Sequence, residues 1–195
     1  MEPVRFCDVL VLRGLMKYIA LLRGINVGTS VRVEMKRLRS LFESLGFLNV
    51  ATYINSGNVI FESDLPKKSA LSMIQAAILN EFGVEIPVIV KTQKEMAAIA
   101  SAIPDEWRND TEQKTDVAYL FDDIDSPEII EKLPVKREFI DIRYVKGAIF
   151  WNVSRENYNR SHLNKIISHK LYRLMTVRNV NTARFLAGTG KNYKP

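Results

Sequence analysis

Val50-Ala51-Thr52-Tyr53-Ile54-Asn55-Ser56-Gly57-Asn58-Val59-Ile60-Phe61-Glu62 holds two β-rich runs on either side of a tight turn. Val50 to Ile54 reads as one strand and Asn58 to Glu62 as the next, because β-branched and aromatic residues fill both and Ser56-Gly57 supplies the turn. A helical pattern flanks the pair on each side. Met35, Leu38, Leu41, Phe42 and Leu45 recur at helical spacing and stop at Gly46. A second helix opens near Pro66, carries Leu71, Ile74, Ile78 and Phe82 along one face, and closes at Gly83. Strands at Lys17 to Arg23 and Ile86 to Lys91 bracket the whole. The predicted class is α+β, and the order βαββαβ is that of a ferredoxin-like unit.

The remainder repeats the scheme in part. Thr92 with Glu95 predicts a capping box opening a third helix, with Met96, Ile99, Ala100 and Ile103 inward. Asp105 to Thr115 is polar and reads as a linker. Asp116 to Phe121 is a strand, and Ser126-Pro127 caps a short helix. Strands Glu138 to Val145 and Ala148 to Val153 flank a Lys146-Gly147 turn. Ser161 caps a helix with Leu163, Ile166, Ile167, Leu171 and Leu174 inward. A last short helix runs near Val180 to Ala187 and ends at Gly188, with no closing strand. The expectation is duplicated ferredoxin-like subdomains, the second an incomplete βαββα unit. They occupy residues 16–104 and 116–188, joined by a 105–115 linker and followed by a 189–195 tail.

Residues 1–15 show no period and read as an N-terminal leader ahead of a natural start at Met16, or else as an extra edge strand at Val9 to Leu12. The longest apolar stretch, Gly14 to Leu22, is interrupted by Lys17 and ends at Arg23, short of the roughly 20 residues of a membrane span. The lone Cys7 permits no internal disulfide, which fits a reducing, cytoplasmic setting. The chain of 195 residues carries a net charge of +6. Residues 155–195 hold nine basic side chains and one acid, so this segment is +8 and the rest −2. Such segregation suits an anionic partner; a plainly solvated surface accounts for it as well.

The expected topology puts the exit of the first strand beside the turn between the second and third. That gathers Arg23, Gly24, Asn26 and Gly28 with Asn55, Ser56 and Asn58, near the start of the first helix. One cation, three amides, a hydroxyl and a helix N-terminus suit a phosphate better than a metal. The structural alternative is that the glycines only turn the chain and the asparagines only cap the loop. Arg178 and Asn179 form a further candidate, as a phosphate clamp or as the cap of the preceding helix. His162, Lys165, His169 and Arg173 recur at helical spacing and would form a cationic stripe suited to a phosphate backbone, or simply a solvated face. The spacing of His, Cys and acids calls for no metal site, and no cofactor fingerprint is present. Both faces of the first strand are apolar, so the second half or a partner subunit, as in a homodimer, must cover the open face.

Ala20-Leu21-Leu22-Arg23-Gly24-Ile25-Asn26-Val27-Gly28, Thr52 to Phe61, and Thr176-Val177-Arg178-Asn179 with Asn181-Thr182 together resemble the bacterial family called domain of unknown function 1697. The resemblance runs from Met16 to about Gly188. Thr29 stands where the family usually has a second glycine, and Val180 where it has tryptophan. The resemblance implies a duplicated α+β fold and a bacterial cytoplasmic protein, with no catalytic residue to carry over. Three functional readings follow. One is a polyanion-binding module for nucleic acid or a phosphate ligand. Another is an enzyme acting on a small phosphorylated metabolite or nucleotide, with Glu34, His162 or Tyr53 as acid or base. The third is a protein-protein interaction or structural protein.

Overall fold

A computed structural model of the chain describes residues 14–28 and 30–189. Most of the expected leader, the edge strand at Val9 to Leu12, Cys7, Thr29 and residues 190–195 of the tail lie outside the described residues. The chain is a mixed α+β protein with two four-stranded antiparallel sheets. The first sheet uses β1 (Met16–Leu22), β2 (Leu48–Tyr53), β3 (Asn58–Ser63) and β4 (Val88–Thr92) in the order β2-β3-β1-β4. Helices α1 (Met35–Ser44), α2 (Lys67–Phe82) and α3 (Gln93–Ser101) accompany it. The second sheet uses β5 (Gln113–Leu120), β6 (Asp141–Val145), β7 (Ala148–Ser154) and β8 (Met175–Asn179) in the order β6-β7-β5-β8, and α4 (Val180–Leu186) follows.

Three apolar layers hold this together, and β1 explains why. Its alternate residues face opposite ways. Tyr18, Ala20 and Leu22 join Leu38 and Phe42 of α1 and Ile74 and Ile78 of α2 on one side. Ile19 and Leu21, with Ile89 of β4, face the second sheet, where they meet Val117, Tyr119, Ala148 and Phe150 in a layer completed by α3 and α4. The second sheet's outer face, with Leu120, Ile149 and Trp151, is covered by Leu163, Ile166 and Leu171. Each fully buried side chain of this size contributes about 1.5–3 kcal/mol. The open face of the first sheet is thus covered by the chain's own second half.

Several expectations change in the second half. The closing strand expected to be absent is present: β8 pairs antiparallel with β5, Val117 opposite Arg178. The long helix from Ser161 does not form. Two 3-10 turns, Leu163–Ile166 and Lys170–Leu174, take its place. His162 sits in the left-handed region at φ 58, and the His169 side chain accepts from the Leu171 N–H, starting a new turn rather than continuing one. The segments at Pro127–Lys132 and Arg137–Phe139 are also 3-10, so β6 starts at Asp141 rather than at Glu138. Gln113 to Thr115, expected as linker, begin β5.

Candidate functional site

The β1 exit and the β2–β3 turn do meet at one end of the sheet, where the Leu22 N–H donates to Gly57 O at 2.8 Å. A Cβ on Gly57 would lie 2.7 Å from Leu22 Cβ, so this close approach requires glycine as much as its φ of 73° does. The Asn26 Nδ2 donates to Val33 O at 2.8 Å and to Asn55 Oδ1 at 3.0 Å, while its Oδ1 accepts from the Val33 N–H at 2.9 Å. Gly24 and Gly28 take positive φ in the exposed loop. Asn58, fully buried, donates to Tyr53 O and to Ser56 Oγ, both at 3.0 Å.

Arg178 arrives at this point from β8 of the other sheet. Its Nε donates to Asn58 Oδ1 at 2.6 Å. Its Nη1 donates to Thr176 Oγ1 and Val177 O, both at 2.9 Å, and its Nη2 to Leu22 O at 2.8 Å and Ser56 O at 2.7 Å. All five donors of the guanidinium are thereby used, none of them on a carboxylate. Burial lowers its pKa to about 10, so the group still carries its charge at neutral pH. Arg23 is engaged similarly: Nε donates to Met175 O at 3.1 Å, and Nη2 to Tyr172 O at 3.3 Å. Arg23, Asn58 and Arg178 therefore do come together, but in a closed joint between the two sheets rather than an open pocket. Asn179 caps α4 by accepting from the Thr182 N–H at 2.9 Å, and Tyr53 stacks on Phe185 at a centroid distance of 3.6 Å. The donors of Arg178 are all taken within the chain, whereas Asn179 lines a cavity of about 370 Å³ with Asp116, Tyr172 and Val177.

The cationic stripe of His162, Lys165, His169 and Arg173 required one helix, and these residues lie on two separate 3-10 turns and their flanks. The rest of the basic segment is partly spent inside the fold. Arg184 donates to Trp107 O at 3.0 Å and Pro104 O at 2.9 Å, and Arg155 donates to Asp110 O at 3.0 Å.

A different cluster gathers elsewhere. A cleft of about 530 Å³ opens where α2, β4 and α3 face the Asp122–Ile124 turn and the β6–β7 hairpin. Lys67, Lys91, Lys94 and Lys146 line it, with Glu95, Asp122 and Asp125. The capping box of α3 fixes Glu95: its N–H donates to Thr92 Oγ1 at 3.1 Å, and its carboxylate accepts from the Thr92 N–H at 2.7 Å. Glu95 also holds Lys67 at 2.5 Å. Across the cleft, Asp125 pairs with Lys146 at 2.9 Å and accepts from the Gly147 N–H at 2.8 Å and the Tyr144 hydroxyl at 3.1 Å. Burial alone would raise the Asp125 carboxyl; those donors outweigh it and hold the group below its ordinary range. For Glu95 too, burial is outweighed, here by Lys67 and the Thr92 cap.

Lys91 is the exception in this cluster. It is only 7% exposed, yet among the described residues its Nζ has neither hydrogen-bond nor ion-pair partner. It shares a sheet face with Ile89, so its stem runs along the layer between the sheets while the amine reaches the cleft. Gly147 makes room for it: a Cβ there would stand 2.6 Å from Lys91 Nζ. Desolvation lowers the Lys91 ammonium's pKa. Lys67 adds to that effect, while Glu95, Asp125 and Asp122 oppose it. Nothing in the sequence reading pointed here. The signal available was a lysine two residues beyond Ile89, on the buried face of a strand.

With the two pairs counted, Lys91, Lys94 and Asp122 remain, so the cleft keeps an excess of positive charge. Among the described residues no group of three or more His, Cys, Asp and Glu side chains is arranged to hold a metal ion. No helix among them is long and apolar enough to cross a membrane.

Two antiparallel four-stranded sheets packed through one layer, with a lysine-lined cleft at their margin, define a mixed α+β protein. The family model described as protein of unknown function DUF1697 matches residues 15–151, more than half the chain, and the protein belongs to that family. A solved structure of a conserved bacterial protein from Streptococcus pneumoniae is similar at a TM-score of 0.79 and 25% identity, over 90% of this chain and 99% of that one. No curated protein matches the sequence.

Proposed function

We propose that the protein binds a small anionic ligand, bearing a phosphate or carboxylate, in the cleft lined by Lys67, Lys91, Lys94 and Lys146. The observation that carries this is Lys91. Its stem is buried and its ammonium, which opens on the cleft, has no protein partner among the described residues, so a ligand anion can supply one. Lys94 and the Lys146 and Lys67 pairs then add charge-assisted donors around the same volume. The cleft's volume falls in the range of small-molecule sites. An enzyme acting on a phosphorylated metabolite is compatible with this reading.

For Arg23, Asn58 and Arg178 we propose a joining role in place of anion binding. A nucleic-acid partner has less support, since Arg178 and Arg184 are spent on the chain's own acceptors. We also infer that the two halves are duplicated ferredoxin-like subdomains of a cytoplasmic protein. The matching strand orders β2-β3-β1-β4 and β6-β7-β5-β8 support this, as does the presence of β8.

Thermal unfolding with inorganic phosphate, pyrophosphate and small phosphate esters tests the binding reading. A ligand of the native state raises the melting temperature, by about 2.7 kcal/mol of added stability at a hundredfold excess over Kd. Chloride at matched ionic strength should leave it unchanged. An equal response to every salt would reduce the effect to screening and reject the site.

A further inference from the structure

We infer that Lys91 is a nucleophile, and that its amine forms an imine with the carbonyl carbon of an anionic aldehyde or ketone held in the cleft. This deepens the anion-binding reading and rests on it. A buried counter-cation would be expected to sit against a carboxylate. Here the carboxylates of Glu95 and Asp125 are committed to Lys67 and Lys146, at 2.5 and 2.9 Å, and Lys91 is left without a partner. The effect is an amine that, among the described residues, neither donates to an acceptor nor accepts from a donor. Gly147, with no side chain, leaves the Nζ room to lie against the hairpin tip, at the edge of the cleft.

Desolvation and the neighbouring Lys67 favour the neutral amine, which is the reactive form. Two cations at the cleft wall, Lys94 and Lys146, are placed to hold the ligand's anionic group. Asp122 lines the same cleft and is the carboxylate there left outside the two ion pairs, which makes it the candidate for proton exchange with the reacting atoms.

The step balances without an oxidant. The Nζ lone pair bonds to the carbonyl carbon, and the C=O π pair moves to oxygen, which takes up a proton as the nitrogen loses one. The resulting hydroxyl leaves with a second proton as water, and the nitrogen pair closes the C=N bond. Amine and carbonyl have become imine and water.

The test uses glyoxylate as the simplest anionic aldehyde, with cyanoborohydride at pH 7 to reduce any imine to a stable secondary amine. Peptide mapping then reads the rate at each lysine of the full, folded chain. The expected result is labelling of Lys91 ahead of the exposed lysines, by about tenfold for each unit by which its pKa is lowered. That preference should vanish in urea, and inorganic phosphate should slow labelling at Lys91 alone. Labelling spread over exposed lysines such as Lys36 and Lys132, with Lys91 at or below their average, overturns the inference. Phosphate stabilisation without Lys91 labelling rejects the nucleophile but keeps the anion site. Lys91 labelling that phosphate does not slow keeps the nucleophile and rejects the shared site.

Discussion

Lys91 Nζ lies 2.6 Å from the point where a Cβ on Gly147 would stand. A lysine on an edge strand of the first sheet and a glycine at a hairpin tip of the second thus share one small volume, though 55 residues lie between them. The hairpin's Gly147 has a φ of 89°, so glycine is favoured there for the turn, and a Cβ would push the Lys91 amine from its present place.

Gly147→Ala should therefore differ from Gly24→Ala. Gly24 also has positive φ, at 67°, but a Cβ there meets nothing within 4 Å. Each substitution should cost about 1 kcal/mol or more in urea unfolding, from the backbone alone. Only Gly147→Ala should also weaken stabilisation by phosphate, because its Cβ displaces the Lys91 amine. Equal retention of the phosphate response in both variants would show that the position of Lys91 Nζ does not matter.

Lys91→Met should stabilise the empty protein modestly at pH 7, since it removes a partly desolvated charge and keeps the stem. The pH dependence follows from sign. The folded-state pKa lies below the unfolded one, so the folded chain binds fewer protons in the window between them, and wild-type stability rises with pH through that window. The advantage of Lys91→Met should accordingly shrink between neutral pH and the ordinary lysine range near 10.5. Urea titrations at pH 7 and 10 check this. A constant difference would mean that Lys91 carries no burial penalty.

Arg178→Ala should destabilise by about 3 kcal/mol or more, because it strands the buried acceptors Asn58 Oδ1, Leu22 O and Ser56 O. Arg178→Lys should recover only part, as an ammonium has three donors where the guanidinium fills five. Both variants should keep the phosphate response per folded molecule. A stable Arg178→Ala with lost anion binding would return the ligand site to the rim of the first sheet.

Asp125→Asn should cost about 1 kcal/mol near neutral pH, through the loss of Lys146 and a weaker bond to the Gly147 N–H. The Asp125 carboxyl is held below its ordinary value of 3.8, so its contribution is complete above that value and fades as pH falls through the lowered one. The variant should thus show a shallower loss of stability on acidification below about pH 4. An unchanged acid limb in a urea–pH series would exclude the carboxylate as the hairpin's anchor.

Local patterns predicted the first half of the chain well, since helices α1 and α2 show their buried stripes at helical spacing and β1 shows its two apolar faces. The capping box of α3 was readable from Thr92 and Glu95 alone. The second half was harder for a physical reason. Leu163, Ile166, Ile167, Leu171 and Leu174 satisfy a helical period, but Asn164, Ser168 and His169 are weak helix formers, and His169 caps a fresh turn with its own side chain. With that helix drawn too long, the short strand at Met175 to Asn179 was hidden at its end. The rim residues were placed together correctly from topology, yet their partners were not foreseeable, because Arg178 reaches them across 120 positions. The lysine cleft was missed outright. Its walls come from α2, β4, α3, a 3-10 turn and a distant hairpin, and only tertiary packing makes Lys91, on the same face as Ile89, a mostly buried lysine that opens on the cleft.

The most direct measurement is a titration of inorganic phosphate into nitrogen-15-labelled protein, followed by amide NMR shifts at low salt. Saturable shifts are expected only at the start of α2 at Lys67, from Lys91 through Glu95, and at Lys146 and Gly147, with their loss in Lys91→Met. Shifts gathered instead on Lys165, Lys170 and Arg173, or on Arg23 and Asn26, would contradict it.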